Sequence, residues 1–132
     1  MSFSSRVEIG SLVGEVLTHV DADENGEEIL LTTASGRQIT IHHDQDCCEH
    51  VRIEGTDGSW HELIGKVIVD ATKDEREFGD PPPAFPDSWT RTDLTFRVDG
   101  ATVVSRWIGE SNGYYSESVD IDEIASTSKA NQ

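Results

Sequence analysis

Glu28-Ile-Leu-Leu-Thr-Thr-Ala-Ser-Gly-Arg-Gln-Ile-Thr-Ile-His-His43 reads as a β-hairpin. Two runs rich in Ile, Leu and Thr flank Ala34-Ser-Gly36, whose glycine suits a tight turn between antiparallel strands. The pattern returns at Asp93-Leu-Thr-Phe-Arg-Val98 and Ala101-Thr-Val-Val-Ser-Arg-Trp107, around the strong turn pair Asp99-Gly100. Period-two alternation also marks Glu15–Val20, Val51–Ile53, Lys66–Ala71 and Tyr114–Ile121 as strands. Two Ser-x-x-Glu sequences, Ser5 to Glu8 and Ser59 to Glu62, point to one or two short helices. The expected fold is mainly β, with a β-rich α+β arrangement as the alternative.

The hairpins belong to two similar blocks. Leu12-Val-Gly-Glu-Val-Leu17 matches Leu63-Ile-Gly-Lys-Val-Ile68 at an offset of 51, and the hairpins match at an offset of 64. That alignment sets Gly36 against Gly100, Leu30 against Leu94 and Ile39 against Val103, with the same inward phase expected in both copies. A single domain over residues 1–124 follows, built from two four-strand halves at about 12–54 and 63–122. A unit of four short strands cannot bury both faces alone, so the halves must pack or pair. Between them, Lys73–Ser88 carries all four prolines and is expected to be a structureless acidic loop. Residues 125–132 read as a disordered tail.

The chain of 132 residues holds 26 Asp and Glu against 10 Lys and Arg, a net charge of −16 with a pI near 4.4. This balance argues against binding nucleic acid through its phosphates and against docking on an anionic membrane. It favours solubility, a basic protein partner, cation binding, or imitation of a polyanion. No run reads as a signal peptide or a membrane span, and Cys47 and Cys48 are adjacent, so a cytoplasmic location is expected.

Candidate sites fall in two segments. His42-His-Asp-Gln-Asp-Cys-Cys-Glu-His50 is the densest run of metal-ligand types, with His42, Asp44, Cys47, Cys48 and His50 as candidates. Adjacent cysteines lack the usual ligand spacing of structural zinc sites, and a strand end among solvated acids is the competing reading. Asp46 and Glu49 oppose activation of either thiol. Ile108-Gly-Glu-Ser-Asn-Gly-Tyr-Tyr-Ser-Glu117 offers Asn112, Tyr114 and Tyr115 in a turn, which reads equally as hairpin chemistry. The alignment of halves sets His42 opposite Arg106 and His43 opposite Trp107. If the two loops face one another, these residues line a cleft for a small anionic or aromatic ligand. No catalytic triad order, phosphate loop or dinucleotide motif occurs, so no enzyme activity and no cofactor is expected, with a hydrolase left open. Rows of acids at Asp21, Asp23 and Glu24, and at Asp74, Glu75 and Glu77, are the candidate partner-binding residues.

Gln45-Asp-Cys-Cys-Glu49 and Ser111-Asn-Gly-Tyr-Tyr-Ser-Glu-Ser118, with Leu12-Val-Gly14 and Leu63-Ile-Gly65, resemble a family of small, uncharacterised acidic proteins encoded by bacteriophages and prophages. The resemblance implies no activity. It implies an accessory product acting inside a bacterial host. The expectation is a non-catalytic protein that binds a host component, as an inhibitor of a bacterial defence or nucleic-acid-handling protein, through an acidic surface that imitates DNA. A small-ligand binder for a nucleotide-like signal, or a metal binder, is the alternative.

Overall fold

The computed structural model describes residues 2–23, 27–43, 49–78, 88–111 and 117–126. Its strands in chain order are β1 (Ser2–Arg6), β2 (Leu17–Ala22), β3 (Glu28–Thr33), β4 (Gln38–His42), β5 (His50–Asp57), β6 (Asp70–Phe78), β7 (Ser88–Val98), β8 (Ala101–Ser111) and β9 (Asp120–Ser126). They form a five-stranded sheet, β1-β9-β4-β3-β2, and a four-stranded sheet, β5-β8-β7-β6. Every pairing among these strands is antiparallel. The fold is mainly β, as the alternation dictates.

One core serves both sheets. Ile29, Leu31, Ile39 and Ile41 of the five-stranded sheet and Leu94, Phe96, Val103 and Trp107 of the four-stranded sheet belong to a single fully buried cluster. Each such side chain contributes about 1.5–3 kcal/mol by leaving water. The residues between them along each strand face outward, and there the charge is displayed.

The helical signals become two 3-10 turns, Ile9–Leu12 and Trp60–Glu62. Ser59 and Glu62 form the expected capping box. Ser5 does not cap: it lies in β1 opposite Glu123, and Glu8 starts the first turn without a side-chain cap. Around the turns, backbone bonds recur at the 51-residue offset. Ser11 N–H donates to Glu8 and Glu62 N–H to Ser59; Gly14 N–H donates to Ile68 at 2.8 Å and Gly65 N–H to Leu17 at 2.9 Å. Gly14 and Gly65 have φ of 94° and 86°, which only glycine adopts without strain. The last two bonds cross between the segments and lock them together.

The sheets exchange strands. β5 follows the β3–β4 hairpin in sequence but pairs with β8, whereas β9 follows the β7–β8 hairpin and pairs with β4. Each sheet is therefore completed by a strand from the other block.

Three expectations need correction. At an offset of 64, β4 and β8 agree in phase, but β3 and β7 do not: Leu30 is half-buried and faces outward, while Leu94 is in the core. The first hairpin closes through Ala34-Ser-Gly36, from Thr33 to Arg37, and the second through Asp99-Gly100, from Val98 to Ala101. One extra loop residue shifts β3 by one, and a shift of one exchanges the faces. Second, Lys73–Phe78 and Ser88 are strand rather than loop, with β6 paired to β7 from Asp70↔Arg97 to Phe78↔Trp89. This edge strand has few inward apolar residues, so backbone pairing sustains it and no hydrophobic pattern reveals it. Third, Ala125 and Ser126 belong to β9, paired with Phe3 and Ser2, rather than to a tail.

Candidate functional site

The alternation at the end of β4 sends its two histidines to opposite sides. His42 faces outward, and its Nε2 lies 2.7 Å from Asp122 Oδ2. Arg6 Nε donates to the same carboxylate at 2.8 Å and also pairs with Asp120 at 3.2 Å. Burial raises the Asp122 carboxyl, but Arg6 and His42 outweigh it and hold it below the usual carboxylate range. His43 turns inward. Its Nδ1 donates to the Ser118 carbonyl at 2.8 Å, and its Nε2 meets Glu49 Oε2 at 2.9 Å, both side chains being buried.

These bonds join the strand ends at which the chain crosses between sheets. Glu117 is held there too: Thr90 Oγ1 donates to one carboxylate oxygen at 2.7 Å and Ser111 Oγ to the other at 2.5 Å. Glu110 lies 2.9 Å from Arg52, close but not aligned as a hydrogen bond. Buried carboxylates with hydrogen-bonded partners act as struts. His43 has both ring nitrogens engaged, one by the Ser118 carbonyl and one by Glu49, and so ties the crossovers.

Of the cleft residues that are described, His42, Arg106 and Trp107 do not converge. Trp107 is fully buried in the core, where its Nε1 donates to Ser105 at 3.1 Å. Arg106 faces outward on the four-stranded sheet and pairs with Asp57, while His42 lies on the outer face of the five-stranded sheet. Asn112, Tyr114 and Tyr115 lie outside the described residues. So do Asp44, Cys47 and Cys48 of the metal set. His50 is exposed, 3.6 Å from Glu27. Among the described residues, no three His, Cys, Asp or Glu side chains gather as a metal site.

The acidic rows separate onto different sheets. Asp21 lies opposite Leu30 on β3, which lies opposite Thr40, which lies opposite Asp122. Asp120, opposite His42 and thereby Glu28, shares this outer face. A shallow depression of about 600 Å³ crosses it, with Leu30, Thr40 and Ile124 as floor and Asp21, Asp23 and Glu28 as wall. Asp74 and Glu75 sit on β6 of the other sheet, exposed, with Glu77 further along that strand. Glu24 lies outside the described residues.

The four-stranded sheet carries a pattern that charge totals hide. Arg52, Arg76, Arg91, Arg97 and Arg106 project from its outer face, accompanied by Glu110, Asp74, Asp93, Asp70 and Asp57 as ion-pair partners. Five of the seven arginines of the chain are gathered there. The alternation Arg91, Asp93, Thr95, Arg97 along β7 is the sequence signal that reveals it. With this face balanced, the excess of acid is displayed on the rest of the molecule.

Among the described residues, the two antiparallel sheets enclose one apolar core, and the charged side chains lie on the outer faces and at the crossovers. The chain belongs to a family defined by a domain of unknown function, DUF7448, which it matches over residues 10–121. No curated protein and no solved structure matches it. β1 and all but the first two residues of β9 lie outside the matched span. No helix among the described residues is long and apolar enough to cross a membrane.

Proposed function

We propose that this is a non-catalytic binding protein whose five-stranded sheet presents carboxylates to a basic partner. The observation that carries the reading is the acidic outer face: Asp21 and Asp23 at β2 and Glu28 on β3 border a depression floored by Leu30, Thr40 and Ile124, and Asp120 and Asp122 on β9 share that face, paired with Arg6. Alternate residues on a strand stand about 6.7 Å apart, and β2 lies three strands from β9, about 14 Å. The β2 acids are exposed, whereas those of β9 already hold Arg6 and His42, and an exposed row of carboxylates suits a surface that normally meets duplex phosphates. The phage-like motifs extend the reading to an accessory protein in the bacterial cytoplasm that occupies a host defence or nucleic-acid-handling protein. Similarity between the blocks supports an origin by internal duplication.

The test is capture from a bacterial lysate at low salt, using the wild type and an Asp21→Asn, Glu28→Gln, Asp120→Asn variant. The expected result is a basic, duplex-binding protein retained by the wild type, lost by the variant and displaced by double-stranded DNA. Failure to recover such a protein, or equal recovery by the folded variant, overturns the reading. A nucleotide or metal site at the crossovers draws less support, because His42, Arg106 and Trp107 face three different ways. Thermal shift against nucleotides and divalent metals tests it separately, since a ligand of the folded state raises the midpoint.

A further inference from the structure

We propose that the outer face of the four-stranded sheet is where two copies of this chain meet, with Asp74 and Asp93 of each against Arg76 and Arg91 of the other. The strand register sets the charges in rows across the sheet. Asp74, Asp93 and Arg106 form one row; Arg76, Arg91 and Ile108 form the next. Thr72 and Thr95 flank the first row, and Trp89 flanks the second.

Along β6 and β7 this arrangement is its own complement. A twofold axis in the plane of contact, running across the strands between the two rows, sets each row against its neighbour in the other copy. Asp74 then meets Arg76, Asp93 meets Arg91, and Thr95 meets Trp89, each twice. Within one copy Arg76 already lies 3.3 Å from Asp74 and Arg91 3.1 Å from Asp93. Contact thus converts each pair into a square of alternating charges, and a guanidinium has donors enough for both carboxylates. The side chains are available: Arg76 and Asp74 are 70% and 56% exposed, Arg91 and Asp93 37% and 26%. Rotation about such an axis keeps the strands of the two sheets aligned, one of the usual ways sheets stack.

Charge also selects this face. Two chains of −16 repel one another, and the arginine-bearing sheet is the outer surface on which acids and bases balance. Four strands about 4.8 Å apart, over the five outward positions, give roughly 500 Å² on each copy and about 1,000 Å² in all. That area lies at the lower limit for a specific interface, so the dimer is weak and sensitive to salt. The surface is on the sheet opposite the acidic face above, so each proposal can fail without the other.

Sedimentation equilibrium on the full chain tests it. The expected result is a mass that rises to that of a dimer with concentration at low salt, with Kd weakened about tenfold or more at high salt as the charges are screened. An acidic variant, R76E/R91E, and a basic variant, D74K/D93K, are each expected to lose the dimer, and an equal mixture of them to restore it. A single-copy mass at every concentration, a dimer indifferent to salt, or a dimer kept by either folded variant overturns the proposal. If a variant does not fold, the concentration and salt dependence of the wild type decides.

Discussion

Gly109 lies directly beneath the backbone of Glu117, so close that a Cβ on the glycine would collide with the Glu117 carbonyl oxygen. The approach brings the Glu117 carboxylate within reach of Thr90 and Ser111. Gly109→Ala is expected to cost about 3 kcal/mol or more, because backbone rather than a flexible side chain must move. Gly14→Ala meets open space and is charged only for its positive φ, about 1–2 kcal/mol. Urea unfolding of both variants checks the order.

Glu117 itself is a buried acceptor for two hydroxyls. Glu117→Ala strands both donors and is expected to lose about 2–4 kcal/mol. Glu117→Gln keeps one carbonyl acceptor and should lose less. Equal stability of the two variants would show that the hydroxyls are satisfied elsewhere.

Stability should fall in acid for two identifiable reasons. The hydroxyl of Ser35, with Arg37, holds Glu15 below the ordinary carboxylate range against the pull of burial, and Asp122 is likewise lowered. A depressed carboxyl stabilises the fold fully above its unfolded value, about 4, and that contribution disappears as pH falls through the lower folded value. The melting temperature should therefore decline below about pH 4. Asp122→Asn should lower it at neutral pH and flatten the acid limb.

Strand exchange makes the two blocks inseparable. Fragments 1–58 and 59–132 each lack the partner of one strand, β8 for β5 in the first and β4 for β9 in the second. Each should be unfolded alone by circular dichroism, and an equimolar mixture should regain β signal. A folded single fragment would contradict the topology.

The hairpins were legible because alternation and turn glycines coincide at Gly36 and Gly100. β1 and most of β6 were not, since these two edge strands carry little apolar pattern and rest on backbone pairing. A one-residue difference in loop length reversed the expected phase of Leu30 against Leu94, a distinction no offset taken from the turns alone can make. The divergence of His42 and His43 followed from period two. The struts from Glu117 to Thr90 and from His43 to Ser118 span 27 and 75 positions, and only the fold brings them together. The arginine face was half visible in β7; alignment with Arg76 and Arg52 needed the register of three strands.

The exchange of β5 and β9 also governs how the chain can be made. While the ribosome is still extending the second block, β4 and β5 are already complete but neither β9 nor β8 exists to cover them. At about 5–20 residues per second, these edges stand open for several seconds in every nascent chain. Open edges invite pairing with other chains, and like charge opposes it. The acids around the first block, at Asp21, Asp23, Glu27 and Glu28, emerge before the partner strands do. That negative charge is therefore already on the nascent chain while the edges of β4 and β5 are open, whatever the finished surface goes on to bind.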